Sequence, residues 1–236
     1  ALLTAYTAEP PRKLMPKAKE AALKALALDD KLAEAHASLG QITAYYDYDF
    51  PTAEREYRRA IELNPNYATA HQWLAEHLTA MKRHDEALAE IRRALEVDPM
   101  SVIMNRIHGD ILMNMRRYDE AIQQYQKAIE LDPNFPSTYY FLGRAYEVKG
   151  MYEQAAAAHT KSSALNGVPP DALKKLNEVY ARSGWKAYVQ ANLEQSQLQG
   201  RKFPAFVMAT LYARLDQRDE AIKWLTLNPA WSLGLH

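Results

Sequence analysis

The sequence predicts an all-α chain, a solenoid of stacked antiparallel helix pairs. Three observations carry this. Pro65, Pro99 and Pro133 fall 34 residues apart. Ala60, Ala94, Ala128 and Ser162 keep the same 34-residue interval, and so do Ala53, Ala87, Ala121 and Ala155. A register held over four copies marks a repeat array, in which each unit packs on its neighbours instead of around one growing core.

Taken in order, residues 1–32 read as a partial repeat, mainly its second helix. Met15 to Leu28 carries Ala18, Ala22 and Ala25 on one helical face, and Asp29 and Asp30 end it. Pro10, Pro11 and Pro16 predict a stiff loop before it, after a stub at Ala1 to Tyr6. The first full repeat spans 33–67, with His36, Leu39, Gly40 and Thr43 on its first helix and Ala53, Tyr57 and Ala60 on its second. Its internal turn, Tyr46 to Pro51, reads as one residue longer than later ones. Repeats follow at 68–101, 102–135 and 136–168, then a degenerate fifth at 169–200 and a truncated sixth at 201–228. Gly200 and Asn228-Pro229 break the pattern, and 229–236 is an irregular tail. All of these belong to one continuous solenoid. The chain opens at Ala1 without a methionine, and its first residues read as the end of a helix, so a fragment or processed product is expected.

The spacing has a packing reason. Gly40, Ala75, Gly109 and Gly143 let paired helix axes approach, and Leu39, Leu74, Leu142, Tyr57 and Tyr125 fill the space between. The repeated prolines cannot continue a helix, so each chain reversal falls at a set place. Asp85, Asp119 and Asp219 open the second helices, where a carboxylate meets free N–H groups and the positive dipole end.

Composition narrows the function. Lys plus Arg equals Asp plus Glu at 29 each, which lacks the charge footprint of a nucleic-acid binder. With no cysteine there is no disulfide framework, cysteine–zinc site or thiol nucleophile. No apolar run has the roughly 18–20 residues that span a bilayer, and no secretory signal is visible. His71, His77 and His84 do not share one helical face, and no His-Glu-x-x-His occurs. The histidines therefore read as packing residues, with no metal and no cofactor. No catalytic constellation is present, so the chain is read as not an enzyme. Paired cations at Lys82-Arg83 and Arg116-Arg117 read as solvated faces balanced by glutamates such as Glu56 and Glu90. The turn Tyr45 to Phe50, where aromatics and aspartates alternate, reads as a packed and capped loop, with a recognition edge as the other reading.

Leu142-Gly143, Tyr146, Tyr152, Ala155 and the small Ser162, with the turns Asn64-Pro65-Asn66 and Asp132-Pro133-Asn134, resemble the tetratricopeptide repeat family over almost all of residues 15–227. The resemblance implies a right-handed superhelix. His36 and His71 depart from the family's aromatic near the start of the first helix, and His108 from its leucine. The block Tyr45 to Phe50 followed by Ala53 to Tyr57 resembles one found in bacterial regulators that carry a winged-helix or serine/threonine-kinase domain.

The family implies a concave groove, lined by the first helix of each pair, that holds a peptide or partner helix. By position its lining is Glu34, Ala37 and Gln41; Thr69, Gln72 and Glu76; Arg106, Asp110 and Met113; Tyr140, Arg144 and Glu147; Lys174 and Glu178. The lysine–asparagine clamp of the family's chaperone-tail readers is absent, since those positions hold Ala37, Gln41, Trp73, Ile103 and Ile107. The expected function is a protein–protein interaction scaffold, the regulatory part of a larger bacterial protein in the cytoplasm, with the periplasm also compatible. The expected partner is a protein or peptide, not a membrane or nucleic acid. Two rival readings are self-association through uncapped ends and a substrate-presenting arm of an enzyme.

Overall fold

The structure is a computed structural model that describes residues 11–198 and 205–226. The chain divides into two units, residues 1–124 and 125–236. The first holds α1 (Pro11–Leu28), α2 (Ala33–Ile42), a π-helical turn (Thr43–Asp47), α3 (Phe50–Leu63), α4 (Ala68–Ala80), α5 (His84–Val97), α6 (Val102–Asn114) and the start of α7 (Tyr118–Leu131). The second holds the rest of α7, then α8 (Pro136–Val148), α9 (Tyr152–Leu165), α10 (Pro170–Leu198), α11 (Ala205–Arg214) and α12 (Arg218–Thr226). No strand occurs among the described residues. The stub at Ala1 to Tyr6, Pro10, the break at Gly200 and the tail from Asn228 lie outside the described residues.

The repeat alanines behave as their spacing demands. Ala53, Ala60, Ala87 and Ala94 in the first unit, and Ala155 in the second, are buried, with Tyr57, Leu74, Leu78 and Ile91 filling the gaps between helices. At Gly40 an added Cβ would stand 2.9 Å from the Tyr57 ring, so glycine there is a steric requirement. One expectation fails at α1. Pro16 lies inside the helix, not in a loop before it. Only one ladder bond is lost, near the open end of the helix, while Met15 and Ala22 beside it gain burial.

The extra residue of the first repeat sits elsewhere than its turn length suggests. The residue before the second helix's cap is left-handed at Tyr48 (φ 58°), Lys82 (φ 61°), Arg116 (φ 59°), Gly150 (φ 73°) and Gly184 (φ 74°), 34 residues apart, and again at Asp216 (φ 60°) before α12. The turn is therefore the same length in each. In the later repeats a helix-terminating bond spans five residues, as in Arg83 N–H to Leu78 O, Arg117 N–H to Leu112 O and Met151 N–H to Tyr146 O. In the first repeat Asp49 N–H reaches back six, to Thr43 O (3.1 Å). The inserted residue is absorbed by the π-turn at the end of α2. Non-glycine residues are strained at such a position. Lys82→Gly and Arg116→Gly are each expected to stabilise the fold by about 0.5–1 kcal/mol, read as a higher urea midpoint with unchanged slope.

A second periodic device explains the histidines. His36 Nε2 lies 3.0 Å from Asp30 O and His71 Nε2 lies 3.0 Å from Pro65 O. Asn105 Nδ2 donates to Pro99 O (3.1 Å) and Tyr139 Oη to Pro133 O (3.1 Å). One polar tip per repeat thus ties the start of the first helix to the carbonyl six residues back. The other histidine nitrogens engage second helices, His36 Nδ1 with Glu56 and His71 Nδ1 with Glu90, both at 2.6 Å.

In the second unit α10 is broken at Gly184 (φ 74°, ψ −165°). Leu176 and Tyr188 from its two arms share a core with Ala156 of α9, and Leu211 and Leu215 pack against it. Thr160 of α9 donates to Asn177 of the first arm (3.1 Å).

Candidate functional site

In the first unit the expected residues come from α2, α4 and α6. Spacing of three, four or seven puts each set on one helical face. Gln41, Thr69, Gln72, Glu76, Arg106, Asp110 and Met113 are all half-buried, and Glu34 is exposed. Ala37 is a correction: it is fully buried and lines nothing open. A methyl group at that turn belongs to the helix–helix seam.

These side chains form a connected strip. Tyr57 Oη donates to Gln41 Oε1 at 2.6 Å. Arg106 pairs with Asp110 one turn away. Burial pushes the Glu76 carboxyl up to about 7, and Asp110 adds to the rise, against the opposing pull of Arg106 and a hydrogen bond from Gln72. The Tyr57 phenol is raised by burial first, then by Tyr45 and Glu76. The strip therefore carries a carboxyl that exchanges its proton near neutrality, framed by amides, a phenol and an ion pair. Glu34 stands beside Tyr67, whose phenol is raised by burial and then by Glu34.

The block Tyr45 to Phe50 is anchored and partly open. Lys19 Nζ lies 2.6 Å from Asp47 Oδ2, and the Asp49 carboxylate accepts from Thr52 N–H at 3.1 Å. Phe50 packs near His77, with ring centres 6.1 Å apart. Tyr45 and Tyr48 remain 49% and 46% exposed.

Of the cations at the repeat turns, Arg83 and Arg117 are matched, though not by Glu56 and Glu90, which engage His36 and His71 instead. Arg83 Nη1 reaches Glu54 Oε2 (2.7 Å), while its Nε and Nη2 take Glu86 (both 2.6 Å). Arg117 takes Glu120 with two bonds of 2.6 Å. Arg58 joins Glu54 at 2.8 Å. Such forks tie up the charge of these three arginines. Asp85 lies in the first turn of α5 but does not cap it, because the N-cap residue is Arg83. Asp85 contributes through the dipole alone.

In the second unit Tyr140, Arg144 and Glu147 share a face of α8. Arg214 of α11 comes in beside them, its Nε 2.8 Å from Glu147 Oε1. Helices stack 8–10 Å apart, so an intervening first helix of the fifth repeat would hold these groups well apart. The contact shows that the first arm of α10 does not fill that place. A cleft of about 550 Å³ results, lined by Arg144, Glu147, Val148, Tyr152, Trp185, Lys186, Thr210, Ala213, Arg214 and Asp216. Lys174 and Glu178 are exposed on α10 and do not line it.

The electrostatics of the cleft follow from burial. Glu147 is raised by burial, against Arg214 and Arg144. Arg214 is lowered by burial, against Glu147, with Tyr140 also holding it charged. Its Nη2 is buried and finds no acceptor among the described residues. His159 lies beneath, pushed down to about 3 by burial and then by Arg214 and Arg144. Its ring sits 5.7 Å from Tyr140 and 6.1 Å from Trp185. Trp185 stacks on Tyr152 (5.4 Å) and on Tyr188 (5.5 Å), each within 17° of parallel.

Sequence reasoning missed Trp185 and Arg214 as cleft residues. The left-handed series ending at Gly184 could have found Trp185, which follows it directly. Arg214 has no such signal, because its place depends on α11 meeting α8.

Among the described residues no helix is long and apolar enough to cross a membrane. A family model described as a tetratricopeptide repeat matches residues 44–103, and one described as a TPR repeat matches residues 109–150. No curated protein sequence matches the chain. Among solved structures, one on the functional characterisation of Pseudomonas aeruginosa pilF aligns over 81% of this chain and 87% of its own, at 20% identity and a TM-score of 0.65. A structure of MamA aligns over 66% and 92%, at 24% identity and a TM-score of 0.55. MamA from residue 41 to its end, from Desulfovibrio magneticus RS-1, aligns over 68% and 97%, at 19% identity and a TM-score of 0.55. Residues 44–103 and 109–150 thus match tetratricopeptide-repeat models, and the chain has the all-helical repeat fold of these solved structures.

Proposed function

We propose that this chain is a non-catalytic interaction scaffold that holds a peptide or protein segment along the faces of its first helices, within a larger bacterial regulator. The observation that carries it is the polar strip of the first unit. Three successive first helices, α2, α4 and α6, each place half-buried amides or charges on it, joined through Gln41, Gln72, Glu76, Arg106 and Asp110. Half-buried polar groups in a row offer hydrogen bonds to an extended backbone at spacings a compact substrate would not use. The half-exposed Tyr45 and Tyr48 at one end add aromatic surface of the kind that anchors partners.

A displayed library of random short peptides, selected on the intact chain, tests this. Bound peptides should shift the methyl resonance of Met113, half-buried on α6, and leave that of Met100, which is 69% exposed at a repeat turn. The reading falls if selection yields no binder, or if binders move Met100 and leave Met113 in place.

A further inference from the structure

The cleft of the second unit carries a more specific reading, which rests on the peptide-scaffold proposal. Its charges do not cancel. Lys186 is paired with Asp216, and Arg214 with Glu147. Arg144 makes no hydrogen bond or ion pair among the described residues, although it is half-buried and lines the cleft. Three cations against two carboxylates leave one positive charge, held where water is partly excluded. A half-buried guanidinium without an acceptor gains strongly from a charge-assisted bond to a carboxylate.

Part of the lining is aromatic. Tyr152 and Trp185 lie nearly parallel with ring centres 5.4 Å apart, and Tyr152 keeps 44% of its surface open. Trp185 is backed by Tyr188 and His159, so the platform is rigid. Rings stacked in this way present a flat apolar face to a further ring. The volume of about 550 Å³ suits two side chains better than a whole folded element.

We infer that this cleft recognises a peptide segment in which a single carboxylate lies next to an aromatic side chain, the carboxylate on Arg144 and the ring against Tyr152 and Trp185. The carboxylate can come from an aspartate or glutamate side chain or from a chain terminus, since either presents the same two oxygens. A phosphate, with nearly two charges, exceeds the one uncompensated cation.

Four N-acetylated peptides decide it, titrated into the intact chain while the Trp185 indole N–H resonance is followed. The first is acetyl-Ala-Asp-Phe-Ala-amide and the second its Asn isostere. The third is acetyl-Ala-Ala-Phe with a free carboxylate and the fourth its amide. The Asp peptide, the free-carboxylate peptide or both should bind about tenfold more tightly than their neutral partners, and which one does so identifies the source. Arg144→Gln should erase the difference between charged and neutral partners. Tyr152→Leu should weaken all four. Equal affinity for charged and neutral partners overturns the proposal, as does discrimination that survives Arg144→Gln. A phosphotyrosine peptide that binds more tightly than the carboxylates also overturns it. Library peptides that shift Met113 while these four leave Trp185 unmoved would end the cleft reading alone. Failure of both sets would remove the scaffold reading with it.

Discussion

Gly143→Leu is expected to destabilise the second unit by about 3 kcal/mol, at the upper end of what overpacking a filled core costs. A Cβ on Gly143 would stand 2.7 Å from His159 Cε1 and 2.9 Å from both ring nitrogens. The imidazole cannot retreat. It is 7% exposed and lies between Tyr140 at 5.7 Å and Trp185 at 6.1 Å. The larger side chain must therefore move α8 away from α9, which also disturbs the face carrying Tyr140, Arg144 and Glu147. Gly40→Ala should be milder because it adds a single methyl group, although that methyl still meets the Tyr57 ring at 2.9 Å and the Ala53 carbonyl at 3.1 Å. Urea unfolding followed at Trp185 measures the loss. His159→Ala in the Gly143→Leu background should recover at least 1 kcal/mol relative to additivity. Strict additivity of the two changes would refute the proposed collision.

The same pair shows what the sequence could and could not convey. The recurrence of small residues located the close helix contacts at Gly40 and Gly143, because the facing ring leaves room for nothing larger there. It could not say that a histidine, not an aromatic or a leucine, is the ring that Gly143 faces, nor that its imidazole would be left neutral. An extra residue in the first repeat was countable, but a longer turn and a π-turn absorb one residue equally well. Only the bond from Asp49 N–H to Thr43 O distinguishes them. The first-unit strip was legible, apart from Ala37, because it follows helical spacing. The second-unit cleft was half legible. Tyr140, Arg144 and Glu147 lie on a regular helix, whereas Arg214 and Trp185 reach the site only because the fifth pair departs from regular stacking. Departures of that kind depend on long-range packing, which local pattern does not encode.

The two units are expected to respond to pH in opposite directions. Glu76 has a folded value of about 7 against an ordinary 4.5, set by burial and then by Asp110, with Arg106 and Gln72 opposing. Its native form binds the proton more readily than the unfolded chain does. Stability of the first unit is therefore fullest below about 4.5 and is lost as pH rises through 7, by on the order of 3 kcal/mol. His71 acts in the same direction. Burial would lower it, but Glu90 and the Pro65 carbonyl raise it on balance, so its contribution also fades as pH rises through its folded value. His77, lowered by burial, opposes them in part.

His159 has a folded value of about 3 against 6.5. The unfolded chain takes up that proton first, so the second unit loses stability as pH falls from 6.5 toward 3, by on the order of 4 kcal/mol. Glu147, raised by burial, offsets some of this. Single-tryptophan variants retaining Trp73 or Trp185 report each unit separately in urea. Between pH 8 and pH 5 the Trp73 midpoint should rise and the Trp185 midpoint should fall. Glu76→Gln should flatten most of the first slope by removing the buried charge at alkaline pH, and His159→Phe should flatten the second. Parallel movement of the two midpoints, or slopes that persist in these variants, would show that neither buried group governs its unit. If the slopes do vanish, Glu76 is a proton site within the proposed peptide strip, and affinity for acidic peptides there must fall as pH rises through 7, since the ionised carboxylate then repels them.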